Sequence, residues 1–290
     1  MAALIVTSGA ILHRAKRVRR RPWGCAAVAN LGWMQRRTGL TLIYSRKHDF
    51  LFIKGKKVAG TSIEIALASI CGPDDIIAPI TPVDEFERLK LAGRGAQNYS
   101  KSPEQERNYL EQLKSASREQ LGRMVMPPCK FRPHMSLHDF AHLFGSIPSS
   151  RIFCAERSPY AKIISAANMS RSFEQYKLDG GQMMKDSDAL KKTVRRLFRK
   201  GSFKFCKNIS RYRGPNGELN IRTLRYESLA QDFDALMVDY GVVPPPALPH
   251  VKQGGNSNAI EPRDIFTREQ LDIINDVYAE EFDTFGYERV

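Results

Sequence analysis

Gly55 and Gly60 stand five residues apart, with Lys56 and Lys57 between them and Thr61 and Ser62 directly after. The loop is entered from the apolar run Asp49–Lys54 and left into the helix-forming run Thr61–Gly72. Strand, glycine turn and helix in that order aim backbone N–H groups at one point in front of a helix N-terminus. Orphan donors and the helix dipole favour an anion there, and phosphate is the natural guest. The ATP-binding loop G-x-x-x-x-G-K-[ST] sets its lysine after the second glycine, where it reaches the β and γ phosphates. Here the lysines come on the entering side of the turn, which argues against an ordinary ATPase or kinase.

A second constellation lies a hundred residues on. Arg157 follows the apolar run Arg151–Glu156, Ser158 and Pro159 supply an N-cap and a first helical residue, and Ser165 comes seven residues after the cap. Seven residues are two helical turns, so Arg157 and Ser165 can converge on one anion. An arginine fork suits a terminal phosphate because it donates two bonds at once. His134, His138 and His142 recur every four residues, a spacing that would stack three imidazoles on one helix. Ser136 followed by Asp139 starts that helix after His134, and no cysteine or carboxylate pattern completes a zinc site. No metal is expected.

The stretch "KKVAGTSIEIAL" resembles the phosphosulfate-binding loop of sulfotransferases that use 3′-phosphoadenosine 5′-phosphosulfate, whose carbohydrate-modifying members commonly read P-K-T-A-G-T-S. Lys57, Ala59, Gly60, Thr61 and Ser62 match, while Lys56 stands for the proline and Val58 for the first threonine. "RIFCAERSPYAKIISAA" resembles the family's second signature, with Arg157, Pro159 and Ser165 at the matching positions. "FRPHMSLHDF" is similar to the segment of glycan 2-O-sulfotransferases in which a histidine is the catalytic base, and His134 matches it. "LRYESL" and "YAEEFDTFGY" extend the likeness, which spans about Asp49 to Tyr287.

The resemblance implies a sulfuryl transfer from that donor to a hydroxyl, most often on a carbohydrate. Lys57 would meet growing negative charge, the loop amides with Thr61 or Ser62 would hold the 5′-phosphate, and Arg157 with Ser165 the 3′-phosphate. His134 would accept the acceptor's proton. Lys252 is placed by position, not by motif, to close over the nucleotide from the Pro/Gly/Asn-rich segment that precedes the last helix.

The elements that must position these residues read as an α/β domain. Strands Asp49–Lys54, Arg151–Glu156 and one ending near Tyr226 alternate with helices, which favours a central, mostly parallel sheet flanked by helices and related to phosphate-loop nucleotide-binding folds. The closing run from Thr267 reads as one helix with a capping box to Gln270, and Gly93–Asn98 as a mobile surface loop.

A chain of 290 residues with 42% hydrophobic and 26% charged content can bury a full core. Its formal charge of +14 is uneven: Met1–Lys47 holds ten Lys or Arg and no acid, leaving 35 of the 45 basic residues against all 31 acidic ones in the rest. Residues 1–47 are therefore read as a basic N-terminal extension and 48–290 as the domain. The extension has the wrong order for a secretory signal. It resembles an organelle presequence, or is a disordered tail or an upstream start ahead of Met34. Its apolar run is too short to span a bilayer, so no integral membrane segment is expected. Five scattered cysteines without a C-x-x-C pair fit a reduced, cytoplasmic setting. The competing function classes are a nucleoside-phosphate kinase and a basic nucleic-acid-binding protein using the extension and "KKTVRRLFRK". No nucleic-acid reader motif supports the latter, and nucleic acid is not an expected partner.

Overall fold

The computed structural model of the chain describes residues 42–130, 135–147, 149, 151–178, 187–251 and 260–290. They form, in order, β1 (Leu42–Ser45), β2 (Phe50–Ile53), α1 (Gly60–Ile70), β3 (Ile76–Ile77), α2 (Pro82–Ala92), α3 (Pro103–Ser115), α4 (Arg118–Arg123), α5 (Leu137–Phe144), β4 (Ile152–Glu156) and α6 (Pro159–Leu178). There follow α7 (Ser187–Arg199), α8 (Ile209–Tyr212), β5 (Arg222–Arg225), α9 (Leu229–Asp239), α10 (Pro262–Ile265), α11 (Arg268–Val277) and α12 (Ala279–Phe285). The basic extension up to residue 41, His134 and Lys252 lie outside the described residues.

The strands make one sheet in the order β3-β1-β2-β4-β5. β2, β4 and β5 are parallel, but β1 is antiparallel to both β2 and β3. The sheet is thus mixed, not mostly parallel as the sequence suggested. The reason is a hairpin: β1 turns into β2 through Arg46–Asp49, which contains neither Gly nor Pro, and Asp49 takes the left-handed turn at φ 51°. Asp75 fastens that turn from outside, accepting from Ser45 Oγ at 2.8 Å and from the backbone N–H groups of Arg46 at 2.7 Å and Lys47 at 3.1 Å. β1 also lies ahead of the expected domain start at 48, with Leu42 and Ile43 in the core.

Both faces of the sheet are covered, as the uninterrupted burial of β2 and β4 requires. Side chains alternate between faces. Leu51, Ile53, Ile152 and Cys154 pack with Phe140 of α5 and with Ile209 and Tyr212 of α8. Phe50, Phe52, Phe153 and Ala155 pack with Ile63 and Leu67 of α1 and Phe233 and Leu236 of α9. Each fully buried Phe contributes about 1.5–3 kcal/mol over an exposed one. A third cluster joins α6, α7, α11 and α12 through Ile163, Val194, Ile274 and Phe282.

The expected capping boxes form at Ser136 with Asp139 and at Thr267 with Gln270. The closing helix breaks at Tyr278 (φ −103°, ψ 12°) into α11 and α12, which turns Glu281 of α12 into the interior. Gly93–Asn98 is not a loose loop. Ala96 is buried with its N–H on Glu85 at 2.8 Å, Gln97 bridges Ile77, and the Asn98 amide donates to the Pro73 and Asp75 carbonyls at 2.7 Å. No helix among the described residues is long and apolar enough to cross a membrane.

Candidate functional site

The loop Lys54–Ala59 carries the chain from the end of β2 into α1. Lys57 and Ala59 both adopt left-handed backbone, at φ 65° and 58°. That conformation costs a non-glycine residue roughly 1–2 kcal/mol, so the surroundings must hold the loop in shape. Ala59 offers no side-chain cap, and the first turn of α1 contains no acidic residue. The positive end of an eleven-residue helix therefore faces the loop without a carboxylate in that turn.

Packing explains both glycines. A Cβ at Gly55 would stand 2.2 Å from the Tyr212 hydroxyl and 2.8 Å from the Asn208 amide nitrogen. A Cβ at Gly60 would stand 2.4–2.8 Å from the stem of Lys54, which crosses over it. The Lys54 amine then reaches Glu64 Oε2 at 2.5 Å and Thr61 Oγ at 3.4 Å. Burial drives the Glu64 carboxyl upward, against the pull of Lys54.

Asn208 clips the loop in place. Its Oδ1 accepts from Lys56 N at 2.8 Å, and its Nδ2 donates to Lys56 O at 3.2 Å and to Glu156 Oε1 at 2.6 Å. Parallel pairing of Leu51 with Ile152 and Phe52 with Phe153 carries the register on to Gly55 beside Glu156, at the carboxyl ends of β2 and β4. Glu156 has the face parity of Ile152 and Cys154, so it emerges on the α8 side. There it also accepts from Tyr212 Oη at 2.7 Å. Lys162 joins Glu156 and Glu281 at 2.6 Å each, and Glu281 in turn accepts the N–H groups of Asn208 and Ile209. Burial pushes the Glu156 carboxyl up, whereas the two carboxylates outweigh burial and hold Lys162 charged. Removing one member of such a buried set typically costs about 3–5 kcal/mol.

Arg157 is the next residue, nearly buried, with its guanidinium 3.9 Å from the centre of the Tyr226 ring. Tyr226 directly follows β5, so three neighbouring parallel strands deliver the loop, Arg157 and its aromatic seat to one sheet edge. Burial lowers the Arg157 pKa, opposed by Tyr226, Glu227 and Tyr287. Lys57 Nζ lies 3.4 Å from Met169 Sδ on α6. Half-buried Ser165 is one turn before Met169 on that same helix face, so Lys57 and Ser165 share a wall. Lys56 Nζ rests 3.4 Å above the Phe205 ring, and burial, reinforced by Arg211, lowers its pKa to about 8.

Lys57, Ala59, Gly60, Thr61, Ser62, Arg157 and Ser165 are thus gathered around one end of the sheet. The arrangement can bind a polyanion by backbone N–H groups, a helix end and separate cations. Sequence reading missed Lys54, Asn208, Glu156, Tyr226 and Arg211. A charged residue ending each apolar strand run was a signal for Lys54 and Glu156, and Tyr226 lies in the stretch "LRYESL"; Asn208 and Arg211 carry no such signal. His138 and His142 ride exposed on α5, and among the described residues no three His, Cys, Asp or Glu cluster as metal ligands. A cavity of about 380 Å³, lined by Arg46, Asp74, Asn98, Lys130 and Phe144 among others, lies at the opposite end of the sheet, since Arg46 follows Ser45, the partner of Phe50. Comparison of the chain with protein-family models, with curated proteins and with solved structures returns no match.

Proposed function

We propose that the protein transfers a sulfuryl group from 3′-phosphoadenosine 5′-phosphosulfate to a hydroxyl acceptor, with carbohydrate as the acceptor class. The observation that carries this reading is the meeting of two anion-type stretches, Lys54–Ser62 and Arg157–Ser165, at one sheet edge, tied through the single amide of Asn208. Ligands of open α/β sheets bind at the carboxyl ends of the strands, and relation of this sheet to phosphate-loop nucleotide-binding folds is part of the proposal.

The residues present fit a phosphate group: α1 has neither a side-chain cap nor an acid in its first turn, and Lys54, whose stem fills the space beside Gly60, brings its amine within 3.4 Å of Thr61 Oγ. The amides of Gly60–Ser62 with the hydroxyls of Thr61 and Ser62 would hold the 5′-phosphate, and Arg157 with Ser165 the 3′-phosphate. The donor, when bound, supplies the sulfuryl group and a phosphate leaving group. Lys57 would offset charge that grows during in-line transfer, and His134, assigned through the resemblance, would take the acceptor's proton. Val58, where the resembled family has a threonine, is 1% exposed and serves the core instead of the ligand.

Thermal shift separates the function classes. 3′-Phosphoadenosine 5′-phosphate should stabilise the protein without magnesium. Stabilisation only by ATP with magnesium would favour a kinase, and stabilisation only by an oligonucleotide, falling steeply with salt, a nucleic-acid binder.

A further inference from the structure

The two lysines inside the glycine turn are sent to its side walls, Lys56 over the Phe205 ring and Lys57 beside Met169. Lys54 instead reaches the start of α1. It directly follows β2, and its stem runs so close over Gly60 that a Cβ there would meet its Cγ, Cδ and Cε at 2.4–2.8 Å. The amine ends 3.4 Å from Thr61 Oγ and 2.5 Å from Glu64 Oε2. In the ATP-binding loop a lysine placed after the second glycine reaches the phosphates. No lysine follows Gly60 here, yet one from the strand end is laid over that glycine with its amine beside the next hydroxyl.

The contacts leave donors uncommitted at this point. A lysine ammonium carries three donors, and among the described residues Glu64 and Thr61 take two of them. Thr61 Oγ accepts from Lys54, so its own hydrogen is left to donate the other way. Glu64, one turn along α1, is fully buried and keeps its Oε1 without a partner. It is less well satisfied than Glu156, which accepts from Lys162, Tyr212 and Asn208. An under-satisfied buried ion pair is a poor source of stability, since uncharged residues of similar volume often serve as well or better. The Lys54 side chain is 14% exposed and that of Glu64 0%, so of the pair the lysine is the member that can meet a ligand.

We infer that Lys54 is a phosphate-binding residue: together with Thr61 it grips the nucleotide's 5′-phosphate at the α1 N-terminus, and Glu64 is the positioning residue that aims it. As an assignment to the sulfuryl donor this rests on the sulfotransfer reading. As a grip on a phosphate it rests on the geometry of Lys54, Gly60 and Thr61.

The test compares the wild type with Lys54→Met/Glu64→Gln, which removes the ion pair as a unit and strands neither charge. Glu64→Gln alone keeps the amine, and its amide oxygen can still accept from it. Calorimetry measures binding of 3′-phosphoadenosine 5′-phosphate, adenosine 3′-monophosphate and inorganic pyrophosphate to each full chain. The double variant should lose at least about tenfold in affinity for the first and the last, with its melting temperature unchanged within about 5 °C. Glu64→Gln should stay within about threefold of the wild type. Adenosine 3′-monophosphate, which has no 5′-phosphate, should not distinguish the proteins. Should the double variant melt lower, Lys54→Gln, which keeps a stem over Gly60 and a donor to Glu64, should show the same loss.

Wild-type affinity in the double variant and in Lys54→Gln would overturn the proposal and leave a structural ion pair only. An equal loss in Glu64→Gln, or a loss for adenosine 3′-monophosphate, would overturn it as well. If the wild type binds pyrophosphate through Lys54 but does not bind the nucleotide, the grip stands and the sulfotransfer reading falls. If nucleotide binding survives intact without Lys54, the grip falls and that reading stands. A wild type that binds neither overturns both.

Discussion

Asn208 holds Lys56 by both of its backbone polar groups, with Oδ1 on the N–H at 2.8 Å and Nδ2 on the carbonyl at 3.2 Å. The same amide donates to Glu156 at 2.6 Å, so one buried side chain sets the distance between the loop and the residue before Arg157. Asn208→Ala should cost about 2 to 4 kcal/mol in urea denaturation, since it strands a backbone pair and deprives a buried carboxylate of one donor. Asn208→Asp should cost more, because it sets a second carboxylate against Glu156. Full stability in Asn208→Ala would mean that the loop keeps its shape by other contacts.

Lys56 gives a pH signature. Its pKa, lowered to about 8 from 10.5 by burial and by Arg211, means that between these values the unfolded chain binds a proton that the folded protein does not. Through this group, stability rises with pH across that window and the destabilisation is fully present below it. A bound phosphate would draw the pKa back up. Binding of 3′-phosphoadenosine 5′-phosphate near pH 8.5 should therefore take up a fraction of a proton, read by calorimetry in buffers of different ionisation enthalpy. Lys56→Met should abolish the uptake. Buffer-independent heats in the wild type would place the phosphates away from Lys56.

Arg157 lies over the Tyr226 ring with its guanidinium 3.9 Å from the ring centre, a contact that orients the fork. Arg157→Ala should weaken 3′-phosphoadenosine 5′-phosphate by about 2 to 4 kcal/mol and leave adenosine 5′-phosphosulfate, which lacks the 3′-phosphate, nearly unchanged. Tyr226→Leu should have the same selectivity with a smaller loss, about 0.5 to 2 kcal/mol. An equal loss for both ligands would remove Arg157 from the 3′-phosphate.

Much of this edge was legible before the fold was known. The apolar runs at Phe50 and Ile152 and the helices after Gly60 and Pro159 fall where period and capping put them, and they fix the spacing of Lys57, Arg157 and Ser165. The antiparallel half of the sheet was not legible. The β1–β2 turn carries no Gly or Pro, and it is fastened by Asp75, some thirty residues away in sequence. Asn208 was hidden for the same reason: it lies 152 residues from Lys56, and its asparagine type has meaning only once α8 has packed beneath the loop. The break at Tyr278, which brings Glu281 to Lys162, is likewise a tertiary choice within a sequence that reads as one helix.

The central claim is that Lys57 serves a sulfuryl transfer. Its most direct test follows acceptor-dependent release of 3′-phosphoadenosine 5′-phosphate from the labelled donor, with a panel of glycans, lipids and phenols as acceptors. The wild type should move label to at least one hydroxyl acceptor without magnesium. Lys57→Ala should lose on the order of 10² or more in kcat with little change in donor affinity, and Lys56→Ala should lose less. His134→Ala should lose on the order of 10² to 10⁴ in rate. Absence of label transfer to every acceptor, or turnover in Lys57→Ala equal to that of the wild type, would contradict the account.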